Sequence, residues 1–346
     1  MSIYSRKIIY DPTEELPDDL LVGLFSVYKI YQSKKIEHVA LRGVSLSIHK
    51  QEMASCVGPS GSGKTTLLNI LAGLLTPTAG TVYWKRLNSE ISHFSTSELA
   101  NVRNEFLGYL SQQPFLLPQL SVVKNVMFPG MICDRIASSE LKSNALDLLS
   151  RVGLLNKAYS SPNTLSAGEV QRVALACSLI NDPDVVFADE PTGNLDYETG
   201  EQFLDLIAEI NESLGTAFFI VTHSPQVAKR TESVFELSDG MLIGHHTVAN
   251  LAALHHTRTL VPDAQNRIYL PEELLQRLGY PWGFSMNIDD QERLVLQPIA
   301  MDDIDPSEIL QKEIPCQLCG MNTPSVNRFC DNCGSFLSQF KFSKEE

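Results

Sequence analysis

Hydrophobic and polar positions along the chain predict a series of strands that leads into a helix. Residues 21–31 form a first predicted strand, and residues 44–48 alternate apolar and polar side chains, as in a half-buried strand. The short apolar run at residues 53–57 leads directly into glycine. From Lys64 the apolar positions recur with a period of about 3.6 residues, which predicts a helix that ends by Pro77. This order is typical of a strand–loop–helix unit.

Further along, the pattern predicts the centre of a parallel sheet. Residues 185–188 and 217–222 are uninterrupted apolar runs, which suit strands that are covered on both faces. Residues 199–214, between these runs, have helical spacing. Residues 90–164 lack strong strand signals and are predicted to be mostly helical, as a subdomain. Strands that alternate with helices predict an α/β domain over residues 21–248, with ligands at the strand ends.

Composition excludes several classes of protein. The 346 residues are enough for one large domain and something smaller. The formal net charge of −14 argues against a protein that binds nucleic acid by neutralising phosphates. No run reaches the roughly 18 apolar residues of a membrane helix, and no apolar export signal follows the start. We therefore expect a cytoplasmic protein with a loose polar tail over residues 1–20, whose membrane work falls to a partner chain.

Residues 58–65 read GPSGSGKT and fit the Walker A pattern for binding phosphate. Glycine lets backbone amides close around phosphate groups, and the following helix directs its positive N-terminal end at them. Lys64 can reach the β- and γ-phosphates, and the Thr65 hydroxyl can ligate magnesium. A glycine-rich turn that matches by chance is the alternative. The candidate phosphate-binding residues are Gly58, Ser60, Gly61, Gly63, Lys64, Thr65 and Thr66.

Two carboxylates follow the apolar run at residues 185–188. Asp189 is placed to hold magnesium through water, as a Walker B acid does. Glu190 is placed to polarise an attacking water molecule. Adjacent acids at the end of a strand can also be solvated loop residues, but the phosphate-binding loop favours the catalytic interpretation.

Further segments resemble motifs of one family. Residues 165–169, LSAGE, with the following VQRVA resemble the ABC signature motif and its helix. Residues 189–196, DEPTGNLD, resemble the joined Walker B motif and D-loop of ABC ATPases. His223 in VTHS is similar to the switch histidine, Gln112 matches the Q-loop glutamine, and Tyr31 stands where the adenine-stacking aromatic of the family lies. Because all motifs occur in order, the chain is identified as similar to the ATP-binding subunits of ABC transporters.

The resemblance covers about residues 21–245 and implies an α/β P-loop NTPase fold, the ABC cassette. The implied parts are a parallel core sheet, an antiparallel β subdomain and a helical subdomain. ATP and Mg²⁺ are the implied ligands, with ATP between two copies of the chain. Ser166 and the Gly168 amide of one copy would contact the γ-phosphate bound to the other. The implied catalytic residues are Glu190, His223 and Gln112, the implied magnesium ligands are Thr65, Gln112 and Asp189, and Tyr31 would contact adenine.

A narrower resemblance concerns the transporter group. Residues 39–46 (VALRGVSL), 116–118 (LLP) and 191–196 (PTGNLD) are similar to the macrolide-export and lipoprotein-release group, which includes a cell-division ATPase. That resemblance implies a separate integral membrane permease as partner, and a location on the inner face of the cell membrane. Two alternatives stay open: a soluble ABC ATPase that acts on ribosomes or DNA, and an ATP-responsive regulator that acts through the tail.

Some residues depart from the family pattern. Ala167 replaces the first signature glycine, and its methyl group would crowd the nucleotide only at a positive φ. Glu169 stands where glutamine is usual. Four histidines match no motif and are expected at the surface: His49, His93, His245 and His246.

The character of the sequence changes after about residue 248. Residues 255–299 resemble the AbrB-type swapped hairpin, with strands at residues 267–271 and 293–296 and a helix over residues 271–278. Known members of that family bind DNA as dimers, but the excess of acidic residues here argues against duplex binding. We therefore expect a clamp that holds two ATPase copies together. A plain α/β appendage is the alternative.

After a linker at residues 300–313, residues 314–346 carry two C-x-x-C-G pairs. Paired thiolates suit tetrahedral zinc, and a short tail with few large apolar residues needs metal to fold. The predicted structural zinc ligands of this zinc ribbon are Cys316, Cys319, Cys330 and Cys333. Two disulfides or a redox pair are the alternatives.

Overall fold

The protein is described from a computed structural model. The structure describes residues 16–33, 36–91, 94, 96–133, 137–247, 270, 278–279, 283–288, 294–299, 313–315 and 322–324. The chain divides into two units, Met1–Tyr269 and Leu270–Glu346, which are treated separately. Across these described ranges, no helix is long and apolar enough to cross a membrane.

Strands and helices are interspersed along the first unit. In chain order its strands are β1 (Leu20–Ser33), β2 (Ile36–His49), β3 (Met53–Val57), β4 (Ala79–Trp84), β5 (Ser89–Glu90), β6 (Leu107–Leu110), β7 (Val185–Asp189), β8 (Ala217–Thr222), β9 (Ser233–Ser238) and β10 (Met241–Thr247). Its α-helices are α1 (Lys64–Leu71), α2 (Thr96–Phe106), α3 (Val122–Cys133), α4 (Ser138–Arg151), α5 (Ala167–Leu179), α6 (Tyr197–Leu214) and α7 (Pro225–Arg230). The predicted fold class, an α/β P-loop NTPase cassette, is confirmed for this unit.

The core sheet has the order β10-β9-β3-β8-β7-β6 among the described strands. The pairs β3–β8, β3–β9, β7–β8 and β6–β7 are parallel, and β10 is antiparallel to β9. Alternate residues of β7 and β8 face two separate cores. Phe187 and Phe219 pack towards α1 and the antiparallel sheet, whereas Phe218 and Ile220 pack towards the helical side. The predicted central strands are therefore confirmed, and all six residues of β8 are buried.

The antiparallel sheet has the order β2-β1-β4-β5 and forms the expected β subdomain. The prediction of one buried face for residues 44–48 is wrong, because the polar residues of this segment are buried as well. Ser45 Oγ accepts a hydrogen bond of 2.8 Å from the Ser26 amide. Ser47 Oγ lies 3.1 Å from His49 Nε2. These hydroxyls are satisfied inside the protein, so the alternation of the sequence does not mark a solvent face.

Two histidines that were expected at the surface are buried. His49 is 3% exposed, and its Nδ1 lies 3.3 Å from Asp19 Oδ2. His245 is 8% exposed, and its ring stacks on Phe235 with centroids 4.5 Å apart. His93 and the side chain of His246 lie outside the described residues.

Two boundaries differ from the sequence pattern. Helix α1 ends at Leu71, before Pro77, because Gly73 adopts a positive φ of 62°. A Cβ at Gly73 would lie 2.7 Å from the Trp84 ring, so glycine is required where the chain turns away from the helix. Strand β6 lies within the segment that was predicted to be mostly helical, where it pairs with β7. The described residues of that segment also include three α-helices, α2, α3 and α4, as expected.

The second unit has two small antiparallel pairs among its described residues. Strands β11 (Gly283–Ile288) and β12 (Leu294–Ile299) pair with Ile288 opposite Leu294. Strands β13 (Glu313–Pro315) and β14 (Asn322–Pro324) form the other pair. β12 matches the closing strand that was expected near residues 293–296. The strand at residues 267–271, except Leu270, the helix at residues 271–277 and the four tail cysteines lie outside the described residues.

Candidate active site

The loop between β3 and α1 is built around glycine. A Cβ at Gly58 would lie 2.0 Å from the carbonyl oxygen of Leu237, and Gly63 has a φ of 104° with Ala40 O only 2.5 Å from a Cβ position. Lys64 is 8% exposed and donates from Nζ to the carbonyl oxygens of Gly58 and Pro59, each at 2.9 Å. The ammonium group is therefore held inside the curve of the loop.

The outer side of the loop is open. Ser60, Gly61 and Thr65 are exposed, and nothing lies within 4 Å of a Cβ position at Gly61. Gly63 caps α1 without a side-chain hydrogen bond, so no side chain caps the first amides of the helix. Free amides at a helix N-terminus, next to a held ammonium group, fit an anionic phosphate chain.

Asp189 comes to the start of α1 at the end of β7. The Thr65 hydroxyl donates to Asp189 Oδ1 at 3.3 Å. Burial raises the pKa of Asp189, and the nearby charge of Glu190 adds to the rise, while the Thr65 hydrogen bond and the charge of Lys64 oppose it. A half-buried carboxylate next to a hydroxyl provides the hard oxygen ligands that Mg²⁺ prefers. These two residues fit a magnesium ion.

Glu190 follows β7 with a φ of 45°, in the left-handed region that few non-glycine residues adopt. Its Oε2 accepts from the Thr222 hydroxyl at 2.9 Å and from the His223 amide at 3.3 Å. Its Oε1 lies 2.8 Å from His223 Nδ1. The side chain of Glu190 is 14% exposed and that of His223 is 68% exposed. An anchored carboxylate with an exposed imidazole beside it can orient water and accept its proton.

Strand register explains why these groups meet. β7 pairs with β8 so that Asp189 lies opposite Val221, and the Glu190 amide donates to Val221 O at 2.9 Å. The ends of β7 and β8 therefore deliver Glu190 and His223 side by side, although the two residues are 33 positions apart. Strand β3 pairs with the other edge of β8 and brings the phosphate loop to the same edge of the sheet.

Two other predicted residues lie around this centre. Tyr31 is 42% exposed, and its hydroxyl lies 3.4 Å from Thr66 Oγ1 on α1. Lys29 Nζ lies 5.4 Å from the centroid of the Tyr31 ring. Gln112 is exposed, and its carbonyl oxygen accepts from Asn194 Nδ2 at 2.9 Å, which ties the loop after β6 to the loop after β7.

The signature segment is assembled separately, at the start of α5. Ser166 is the N-cap, and it forms a capping box with Glu169. Its hydrogen bonds run to Glu169 and Val170 on its own helix, not to the phosphate loop. A Cβ at Gly168 would lie 2.7 Å from Thr199 Cγ2 on α6. Ala167 is the first residue of α5, is exposed and does not have a positive φ, so its methyl group is accommodated.

Sequence reasoning missed three residues of this region. Thr222 is fully buried and donates a hydrogen bond to Glu190. It lies next to His223 in the VTHS segment, where the motif marks only the histidine. Tyr109 donates to Asn69 Oδ1 at 3.1 Å, and burial together with the charge of Asp189 raises its pKa to about 12. Lys157 pairs with Glu169. No motif marks the last two, because their positions depend on how separate elements pack.

The chain is similar to known proteins over the first unit. Residues 41–193 match the family model described as ABC transporter. The lipoprotein-releasing system ATP-binding protein LolD of Idiomarina loihiensis is 41% identical over 224 residues, which is 65% of this chain and 97% of the relative. LolD of Pseudoalteromonas translucida is 41% identical over 225 residues, 65% of this chain and 96% of the relative.

A solved structure agrees with these relatives. The dimeric ATP-binding cassette MJ0796, bound to ADP and Pi in a post-hydrolysis state, is 36% identical and has a TM-score of 0.61. The likeness covers 66% of this chain and 99% of the solved one. Family, fold and site geometry agree: the chain belongs to the ATP-binding proteins of ABC transporters and is an ATPase of the ABC type.

Proposed function

We propose that two copies of this chain bind and hydrolyse Mg²⁺-ATP between them and thereby drive a separate integral membrane permease. The observation that carries the proposal is the anchored carboxylate of Glu190, beside the exposed His223 and next to Asp189. An export, lipoprotein-release or mechanotransmission system is the type of transporter that the LolD relatives favour.

The phosphate loop binds the nucleotide in this proposal. The open amides after Gly61 and the ammonium of Lys64 take the β- and γ-phosphates, and Tyr31 stacks on adenine. Thr65, Asp189 and Gln112 hold the magnesium ion, which neutralises charge on the phosphates. Support comes from the closeness of Thr65 to Asp189 and of Tyr31 to Thr66.

Glu190 orients the attacking water and accepts its proton. The Thr222 hydroxyl and the His223 amide fix Oε2 of Glu190, and His223 Nδ1 contacts Oε1. The side chain of His223 is 68% exposed, and its imidazole contacts the γ-phosphate in this proposal. Catalysis then consists of positioning and electrostatic stabilisation on groups that are ordered in advance.

A second copy completes each site. The Ser166 hydroxyl and the Gly168 amide lie at the exposed N-terminal end of α5, where the helix dipole favours an anion. Their hydrogen bonds are independent of the phosphate loop of the same chain, which supports contact with the nucleotide of the partner. MJ0796 is a dimer in its complex with ADP and Pi.

The permease docks near the loop of Gln112. Large apolar side chains are exposed in the loop that follows Gln112 and on α3, and exposed apolar surface of this kind suits a protein interface. They are Phe115, Phe128, Met131 and Ile132, with exposed fractions of 81%, 41%, 56% and 60%. Docking there would keep the ATPase cytoplasmic, on the inner face of the membrane.

The second unit has a supporting role in this proposal. The segment at residues 255–299 holds two copies together, and Cys316, Cys319, Cys330 and Cys333 bind one structural zinc ion. Among the described residues of this segment β11 and β12 form a two-stranded pair, and such a pair is stabilised by packing on a further surface, which a second copy would supply. No nucleic acid is required.

The decisive experiment compares Glu190→Gln with Glu209→Gln, an exposed position on α6. Glu190→Gln should abolish turnover of Mg²⁺-ATP yet keep nucleotide binding, and light scattering of the full chain with ATP should show a dimer. Glu209→Gln should hydrolyse ATP at the rate of the unmodified protein. Persistent turnover in Glu190→Gln would remove Glu190 from the mechanism.

Purification from membranes tests the partner. An integral membrane protein should be recovered with the chain, and triple substitution of Phe115, Met131 and Ile132 by serine should release it without changing basal ATPase activity. Recovery with ribosomes or DNA instead would favour the soluble ABC ATPase, and binding of duplex DNA by the tail would favour the regulator.

A further inference from the structure

Glu169 carries a charge at the base of the signature segment. Its Oε2 accepts from the Ser166 amide at 2.9 Å, and its Oε1 accepts from Lys157 Nζ at 2.5 Å. The side chains of Glu169 and Lys157 are 16% and 34% exposed, so the pair is partly screened from solvent. The hydrogen bond from Lys157, and next that from the Ser166 amide, lower the pKa of Glu169. The carboxylate is therefore ionised at neutral pH.

An ionised residue at this position creates an electrostatic problem. The capping box needs only one acceptor oxygen from residue 169, which an uncharged glutamine can also supply. A carboxylate instead places a negative charge three positions from Ser166, whose hydroxyl faces a phosphate in the proposed dimer. Like charges at short range repel, and a partly buried site screens them poorly. A cation on the free oxygen removes the repulsion, and Lys157 occupies that place.

The same contacts set the role of the Ser166 hydroxyl. Ser166 Oγ accepts a hydrogen bond of 3.3 Å from the Glu169 amide. One lone pair is thereby directed into the helix, and the hydroxyl hydrogen is left to point towards an acceptor outside. The capping box thus makes the exposed serine a donor, which is the function that a phosphate oxygen requires.

Lys157 stands on a fixed part of the backbone. It ends a 3₁₀-helix (Leu155–Lys157), and its amide donates to Leu154 O at 3.0 Å. The next residue, Ala158, is 1% exposed and accepts from the Val123 amide at 2.7 Å at the start of α3. The lysine therefore reaches Glu169 from a backbone that is already fixed, so forming the ion pair costs less backbone entropy than one between mobile loops.

We propose that Lys157 is a positioning residue for ATP hydrolysis. Lys157 neutralises Glu169 and holds the capping box, and the capping box presents the Ser166 hydroxyl to the γ-phosphate bound to the partner copy. This inference rests on the proposed function of Ser166 and adds a residue that no motif of the sequence marks.

A double-substitution cycle tests the proposal on the full chain with Mg²⁺-ATP. Lys157→Met should lower kcat by roughly tenfold, in the range of coupling between contacting residues. Adding Glu169→Gln to Lys157→Met should restore kcat to within about twofold of Glu169→Gln alone. Lys157→Arg should keep kcat near that of the unmodified chain. Arg151→Met is the matched control, because Arg151 pairs with Asp147 on the exposed side of α4 at 2.8 Å, outside the site.

Each outcome is informative. Rescue of kcat by Glu169→Gln, with equal thermal unfolding temperatures for all variants, supports the proposal, because a change in fold stability would then not explain the change in kcat. A kcat unchanged in Lys157→Met, or a loss that Glu169→Gln leaves in place, overturns it. Ser166→Ala, measured in parallel, separates the role of Lys157 from the proposed role of Ser166. Full activity of Ser166→Ala would refute the proposed role of Ser166, and the inference about Lys157 would fail with it.

Discussion

The hydroxyl of Thr222 lies 2.9 Å from Oε2 of Glu190 and joins the last residue of β8 to the residue that follows β7. The same hydroxyl accepts from the Ser224 amide at 3.0 Å. Thr222 is fully buried, and therefore acts on the carboxylate without meeting solvent. The orientation of the proposed base thus depends on a residue in the core of the sheet.

Replacing this hydroxyl should slow hydrolysis. We expect Thr222→Val, which keeps the shape but removes the donor, to lower kcat about tenfold, as befits one lost hydrogen bond to a charged group. The affinity for ATP should change little, since Thr222 contacts Glu190 and not the phosphate loop. Steady-state kinetics measure both quantities. Thr222→Ser keeps the hydroxyl and is the control; equal loss in both variants would show that packing, not the hydrogen bond, matters.

Restoring the family glycine at position 167 should not activate the enzyme. Ala167 is exposed at the first position of α5 and has no positive φ, so its methyl group causes no backbone strain. We expect Ala167→Gly to keep turnover within about twofold and to lower the free energy of unfolding by less than about 1 kcal/mol. ATPase assays with denaturant titration measure the two effects. A large gain in turnover would reveal crowding of the nucleotide by the methyl group.

Asn125 should be a major source of local stability. It is 5% exposed, accepts from the Leu117 amide at 2.7 Å and donates to the carbonyl oxygens of Leu117, Leu120 and Ser121 at 3.1–3.2 Å. Asn125→Ala removes the bonds to the Leu117 amide and the Leu120 carbonyl, both on half-buried residues, and should lower the free energy of unfolding by about 2–4 kcal/mol.

Chemical denaturation measures that loss, with the exposed Asn163→Ala as a matched control expected within about 0.5 kcal/mol of the unmodified protein. Equal stability of the two variants would contradict the role of Asn125.

Two thiols should resist modification in the folded protein. Burial raises the pKa of Cys56 and of Cys177 to about 12, so both stay protonated and poorly nucleophilic at pH 8. We expect an aromatic disulfide reagent to label them only after denaturant is added. Mass spectrometry of the labelled peptides gives the result. Rapid native labelling of Cys56 would contradict its burial, and rapid labelling of the partly buried Cys177 would contradict its raised pKa.

Metal analysis tests the cysteine tail. We expect the purified chain to contain one zinc ion per copy, and Cys330→Ser to lose it, because tetrahedral zinc needs all four thiolates. Cys133→Ser, outside the tail, is the control and should keep the metal. Retention of zinc in Cys330→Ser would exclude the four-thiolate site, and paired disulfides found by mass spectrometry would replace it.

Local patterns predicted the elements that lie next to the site. Apolar runs identified β3, β7 and β8, since strands covered on both faces carry a continuous apolar signal. Strand β6 escaped, because four residues at the edge of the sheet next to a helical subdomain are too short a pattern. The buried Ser45 and His49 also escaped, because their hydrogen-bond partners lie on other strands or turns.

The same limit applies to the candidate site. Motifs predicted Lys64, Asp189 and Glu190, since each follows a strand or opens a helix at a fixed spacing. The hydrogen bonds that orient Glu190 were not predictable, because they depend on the register of β7 against β8 and on a positive φ at Glu190 itself. The partnership of Lys157 with Glu169 depends likewise on the packing of a 3₁₀-helix against α5.

The strand order of the core sheet also has a consequence for biosynthesis. Strand β3 carries the phosphate loop, but its neighbours β8 and β9 lie more than 150 residues later in the chain. A ribosome must therefore release residues up to Ser238 before β3 acquires both neighbours, and pairing over so long a separation is slow. Acquisition of nucleotide affinity then becomes a natural marker that the newly made cassette has finished folding.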